Sequence, residues 1–107
     1  MVFNTGSALL DAIVLSVVSR DVNGTYGYRI TQEVRAVLDI SESTLYPVLR
    51  RLLKDECLET YDMAIDGRNR RYYRITGSGR LQLNLYRGEW NVYAQKISGI
   101  LEEKDHE

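Results

Sequence analysis

Residues 41–80, SESTLYPVLRRLLKDECLETYDMAIDGRNRRYYRITGSGR, leave few folds open to this chain. They spell one amphipathic helix, one strand, a Gly- and Arg-rich turn and a second strand. In the helix, Leu45, Val48, Leu49, Leu52 and Leu53 fall on one side. At about 100° per residue, Ser43, Pro47, Arg50, Arg51 and Lys54 fall on the other, with Tyr46 on the flank. Ser41 or Ser43 caps the helix, which is expected to run to about Asp55. Pro47 lies in or near the first turn, where a missing N–H costs least. Residues 58–65 read as a strand that ends at the hairpin signal Asp66-Gly67. Residues 71–76 read as its partner, leaving Gly67-Arg68-Asn69-Arg70 as a short positive turn. In that partner strand Tyr73 and Ile75 point to one face, Tyr72 and Arg74 to the other.

The remaining segments supply helices on either side. Residues 8–19 are apolar on nearly all sides, so this helix needs burial on more than one face, with Ser7 as its N-cap. Asn23-Gly24 signals a turn. Residues 26–38 read as a second helix, capped by Thr25, with Ile30, Val34, Val37 and Leu38 as its buried stripe. Gly27 in its first turn serves either close packing or close approach of a phosphate. After Gly77-Ser78-Gly79 a long helix covers residues 78–101. Leu83, Tyr86, Trp90, Tyr93, Ile97 and Ile100 recur at intervals of 3, 4, 3, 4 and 3, a seam that packs one helix along another. Leu81, Leu85 and Val92 form a second stripe. The tail over residues 102–107, which holds His106, is charged and expected to fray. The expected architecture is mainly α with a small β-hairpin. Residues 1–77 form a winged helix-turn-helix region and residues 78–107 a long C-terminal helix and tail, all within one structural domain.

Charge is segregated along the chain. The formal net charge is −1, yet eight of the fourteen basic residues lie in residues 41–80, and Arg68 to Arg80 contains five arginines and no acid. A local patch is what phosphate contact requires. With Cys57 as the one cysteine, no intrachain disulfide can form, which suits a reducing compartment. Residues 1–7 lack a positive targeting region, and the apolar run from Ala8 to Val18 contains Asp11 and is too short to span a bilayer. A cytoplasmic protein without membrane contact is expected. One His and one Cys cannot build a zinc site of their own. No Gly-rich phosphate loop, nucleophile with a partnered base or convincing carboxylate pair is visible, so neither an enzyme nor a cofactor is expected.

Duplex DNA suits this layout. A helix fits the major groove, so its exposed face can meet base edges, and arginines on a flat hairpin can reach the neighbouring minor groove or backbone. The segments TLYPVLRRL (Thr44 to Leu52) and GRNRRYYRIT (Gly67 to Thr76), then Gly79-Arg80, closely resemble the PadR family of bacterial transcriptional regulators. Tyr26-Gly27-Tyr28 joins the resemblance, which covers roughly residues 8–101 and fits the smaller subfamily with a single C-terminal dimerisation helix. It implies a homodimeric winged helix repressor. Its DNA-binding residues, carried over by position, are Ser43, Thr44, Tyr46, Arg50 and Arg51 on the helix and Arg68, Asn69, Arg70 and Arg71 on the wing. The Leu83 to Ile100 seam becomes the dimer interface. Trp90 takes the place where some members stack a flat aromatic effector.

Several readings stay open beside these. Tyr46 is a core edge or a phosphate hydroxyl donor, and Trp90 is dimer core or ligand platform. Arg74 and Arg80 are expected to make local salt bridges or helix contacts, and Cys57 to be a small buried hydrophobe. The chain departs from the family pattern at Glu56, where Gly usually closes the third helix, at Cys57, where a larger apolar residue is usual, and at Ser43, where Gly often stands. The resulting expectation is a sequence-specific repressor of a palindromic operator, released by a small aromatic effector. The alternative is a winged helix that docks a protein partner through the same basic face without reading DNA.

Overall fold

The computed structural model describes residues 6–102, so most of the charged tail, with His106, lies outside the described residues. Its elements run α1 (Ser7–Ser19), β1 (Thr25–Tyr26), α2 (Gly27–Arg35), α3 (Glu42–Lys54), β2 (Leu58–Ile65), β3 (Arg68–Ile75) and α4 (Gly77–Leu101). The three strands form an antiparallel sheet in the order β1-β3-β2.

The core is one cluster drawn from every helix. Val14, Leu15 and Val18 of α1 meet Ile30 and Val34 of α2, Leu45, Val48, Leu49 and Leu52 of α3, and Leu83 of α4. Leu58 and Ile75, which pair at the base of the hairpin, and buried Cys57 close it from the sheet side. Each large aliphatic side chain so buried contributes about 1.5–3 kcal/mol, which is why the all-round apolar α1 sits between α2, α3 and α4. Cys57 behaves as the small hydrophobe expected, and burial pushes its thiol pKa up.

Several local expectations need correction. Thr25 does not cap α2. It pairs with Tyr73 in β1, and Tyr26 takes the cap position, so the expected two-stranded hairpin becomes a three-stranded sheet. Ser7 opens α1 rather than capping it, and Gly6 precedes it as the N-cap. α2 stops at Arg35, because the N–H groups of Val37 and Leu38 both fold back on the Val34 carbonyl; Val37, expected in the buried stripe, is 82% exposed. Of the two candidate caps on α3, Ser41 serves: its Oγ accepts from the Thr44 N–H at 3.3 Å. Thr76 caps α4 in the same way, accepting from the Gly79 N–H at 2.9 Å. β3 begins at Arg68 rather than Arg71, since the turn is only Asp66-Gly67, both at positive φ (53° and 77°) as a two-residue hairpin turn demands. Gly27 is not sterically required, as an added Cβ would lie an ordinary 3.6 Å from the Tyr73 ring.

α4 gives the molecule its outline. A compact chain of this length has a radius of gyration near 13 Å, whereas this one has 16.2 Å and a long axis of 67 Å. The N-terminal part of α4 packs on α1 and the core, while Ile100 and Leu101 at its far end are 68% and 78% exposed. Among the described residues, no helix is long and apolar enough to cross a membrane.

Candidate nucleic-acid interface

The outward side of α3 is built as a reading surface. Leu45, Val48, Leu49 and Leu52 anchor the helix in the core, which forces Ser43, Tyr46, Pro47, Arg50 and Lys54 outward on one line. At its start the Ser41, Ser43 and Thr44 hydroxyls cluster, with Ser41 Oγ 3.0 Å from both neighbours. These hydroxyls stand where the helix N-terminus already favours an anion. Tyr46 is exposed, and its ring sits beside Gly27 at the start of α2.

Arg51 is turned elsewhere. Its Nη2 meets Asp11 Oδ1 at 2.5 Å and its Nε lies 3.5 Å from Asp11 Oδ2, so the guanidinium serves α1 rather than the outer line of Arg50 and Lys54. This hydrogen bond, donated to the Asp11 carboxylate, holds the Arg51 pKa above its ordinary value. The helical spacing puts Arg51 on the edge of the polar face, and the buried carboxylate 40 residues earlier draws it off.

On the wing the four expected residues lie on a strand, and the pleat splits them. Register places Arg68, Arg70, Tyr72 and Arg74 on one face, Asn69, Arg71, Tyr73 and Ile75 on the other. The first face carries a ladder of rings and guanidinium groups. Arg74 lies 5.0 Å over the Tyr61 ring, Tyr61 stacks on Tyr72 at 5.6 Å, Tyr72 meets Tyr26 edge-on at 5.7 Å, and Arg70 lies 4.7 Å over Tyr26. Arg74 also ion-pairs with Glu59 at 2.9 Å, the local salt bridge expected of it. The Tyr61 hydroxyl donates to the Asn23 carbonyl, tying the wing to the loop after α1. Among the described residues Arg50, Arg68, Arg71 and Arg80 make no ion pair.

The seam on α4 divides too. Leu83 is buried in its own chain's core, and Tyr86 packs against that core, its hydroxyl 3.4 Å from Asp11 Oδ2. Leu83 is therefore an internal contact rather than a surface for a second copy, because α4 must close the α1 side of the domain before it projects. Trp90, Ile97 and Ile100 lie farther out, and Trp90 packs on Tyr93 with ring centroids 6.2 Å apart. Beside Trp90 opens an apolar groove of about 480 Å³ between α1, α2 and α4. Ile13, Val17, Val37, Leu38 and Tyr86 line it, with Arg20, Glu33 and Arg87 among its charged residues.

A helix-turn-helix backed by a three-stranded, arginine-bearing wing and extended by a projecting helix defines a winged helix transcriptional regulator. The PadR-like transcriptional regulator family matches residues 14–85, and the chain belongs to that family. Its members are regulators rather than enzymes. A solved structure from Streptococcus mutans UA159 is similar over 100% of this chain and 99% of its own, with a TM-score of 0.83 and 37% identity. A PadR-like regulator from Bacillus cereus has a TM-score of 0.81 at 25% identity, over 94% of this chain and 98% of that one. A transcriptional regulator of Mycobacterium tuberculosis is 38% identical over 78 residues, 72% of this chain and 73% of that protein.

Proposed function

We propose that this regulator is a homodimeric, sequence-specific repressor whose grip on DNA is controlled by a small aromatic ligand. The observation that carries the reading is the outward line Ser43, Tyr46, Arg50 and Lys54 on a capped α3, beside the wing residues Arg68 and Arg71, which make no ion pair among the described residues. α3 enters the major groove, and Arg68 and Arg71 take phosphates. Arg51 is left out of the contact set because Asp11 holds it.

Dimerisation is supported by the apolar far end of α4. Trp90, Val92, Ile100 and Leu101 stay exposed on a helix that has already filled its own core. A second copy covering them sets two α3 helices about one turn of DNA apart, near 34 Å, and so selects a palindrome. The aromatic ligand takes the groove beside Trp90. It acts only by binding the DNA-competent and DNA-incompetent arrangements unequally.

The test is a titration with duplexes selected from a random pool, followed by sedimentation of the complex in low and high salt. Two protomers per palindromic duplex, with affinity falling steeply as salt rises, is the expected result. A lone subunit at micromolar concentration, or failure to bind any duplex in dilute buffer, would overturn it.

A further inference from the structure

Asp11 is the odd residue of α1. It stands in a run of aliphatic side chains and is only 6% exposed. A carboxylate held this far from water is costly unless its oxygens are engaged. Arg51 of α3 occupies Oδ1 at 2.5 Å, and Tyr86 of α4 reaches Oδ2 at 3.4 Å. One carboxylate therefore joins three helices through residues 40 and 75 positions away.

Each partner has a second surface. Tyr86 lines the groove and sits one turn before Trp90. Arg51 follows Arg50, whose side chain leaves α3 about 100° around the helix, on the outward line. A body that presses on the Tyr86 ring from the groove draws its hydroxyl from Oδ2. The carboxylate is then held by Arg51 alone and can follow it. Any shift of Arg51 turns the rigid helix that carries Tyr46, Arg50 and Lys54. The groove lies between α1, α2 and α4 and the reading face on α3, and this chain of polar contacts runs between them.

We propose that Asp11 is a positioning residue that couples the occupancy of the groove to the setting of α3, with Tyr86 as its sensor and Arg51 as its lever. The proposal rests on the DNA-binding reading above. Coupling between two sites is reciprocal, so DNA bound by α3 must alter the groove by the same factor.

The experiment uses the full chain and the dye 8-anilinonaphthalene-1-sulfonate, a planar aromatic anion, as the groove probe. Trp90 is the one tryptophan, so energy transfer from it to the dye reports binding beside it. Dye affinity is measured with and without a saturating selected duplex. Wild type is expected to bind the dye at least about fivefold more weakly on DNA. Tyr86→Phe keeps the ring but removes the hydroxyl that reaches Asp11; its dye affinity is measured both free and on DNA, and the ratio of the two is expected to fall towards one. Asp11→Asn should lose the effect too; Tyr86→Phe keeps the test decisive if Asp11→Asn folds poorly. A wild-type ratio of one, or a fivefold ratio that survives in Tyr86→Phe, would overturn the coupling while leaving DNA binding intact. Absence of duplex binding in wild type would overturn both readings.

Discussion

Gly79 of α4 lies flush against the carbonyl of Cys57, the residue just before β2. A Cβ on Gly79 would overlap that carbonyl and come within 2.8 Å of Ile75 Cγ1. Backbone meets backbone there, so no side chain can swing aside. The contact lets the first turn of α4 seat on the hairpin base while Thr76 caps it and its hydroxyl donates to the Glu56 carbonyl at 2.7 Å.

Gly79→Ala is therefore expected to destabilise the fold by about 3 kcal/mol, at the upper end for overpacking, despite alanine's better helix propensity. Gly88 in the same helix has nothing within 4 Å of an added Cβ. There Ala should gain up to about 1 kcal/mol. Urea unfolding of both variants at one protein concentration checks the contrast. Equal effects would show that α4 does not seat on the hairpin as described.

Glu56 offers a gain in stability. It holds φ at 61°, a left-handed conformation that costs a side-chain-bearing residue about 1–2 kcal/mol. It closes α3 with the Cys57 N–H bonded back to the Leu52 carbonyl at 2.9 Å and its own N–H to Leu53 at 3.0 Å. Glycine suits this closure, and the Glu56 side chain is exposed. Glu56→Gly should raise the denaturation midpoint by about 1 kcal/mol in stability without altering DNA affinity. A lower midpoint would show that the carboxylate supplies a contact beyond its strained backbone.

Alkaline pH tests the Asp11 cluster. The Tyr86 pKa is pushed up to about 12, first by burial and then by the neighbouring Asp11 carboxylate. Its unfolded value is near 10. A folded value above the unfolded one contributes stability that is complete below about pH 10 and is lost as pH rises through about 12. Burial raises the Cys57 thiol as well, so its contribution falls in the same direction from its ordinary 9.0 upward. Tyr86→Phe should therefore show a shallower loss of stability between pH 10 and 12 than wild type. Parallel curves would mean that Tyr86 is not the group that titrates.

The pattern of side chains carried much of this fold, and the shortfalls share one cause. β2 was legible to the residue, because its ends are marked by the closure at Glu56 and the Asp66-Gly67 turn. The buried side of α3 was legible because Leu45, Val48, Leu49 and Leu52 repeat at helical spacing. Glu56 was legible as an anomaly, a charged residue where the family closes a helix with glycine. The features that side-chain spacing does not reveal depend on distant partners. Thr25 and Tyr26 are too short a run to announce a strand and become one only by pairing with Tyr73 and Tyr72. Val37 and Leu38 continue the spacing of α2, but the chain turns under them to reach Ile40 and the α3 cap. Arg51 looked like a surface cation until the fold brought it to Asp11. Arg68 to Arg70 looked like a turn because they are polar, whereas the ladder with β2 runs on to Ile65 and Arg68.

That last difference separates the wing arginines by role. Arg68 and Arg71 have no acidic partner among the described residues, although Arg71 stands across the ladder from Asp62. Arg70 lies on the Tyr26 ring, in the ladder that braces the sheet against the start of α2. A guanidinium that holds a phosphate releases a counterion and adds about one unit to the slope of log affinity against log salt; one that only braces the protein does not. Arg68→Ala and Arg71→Ala are each expected to flatten that slope by about one unit. Arg70→Ala should lower affinity, because the wing loses its brace, while the slope stays near the wild-type value. Anisotropy titrations of a selected duplex across a series of salt concentrations give all three slopes. An Arg70→Ala slope that drops like the other two would move Arg70 onto the phosphates and demote the ring contact to a resting position that DNA displaces.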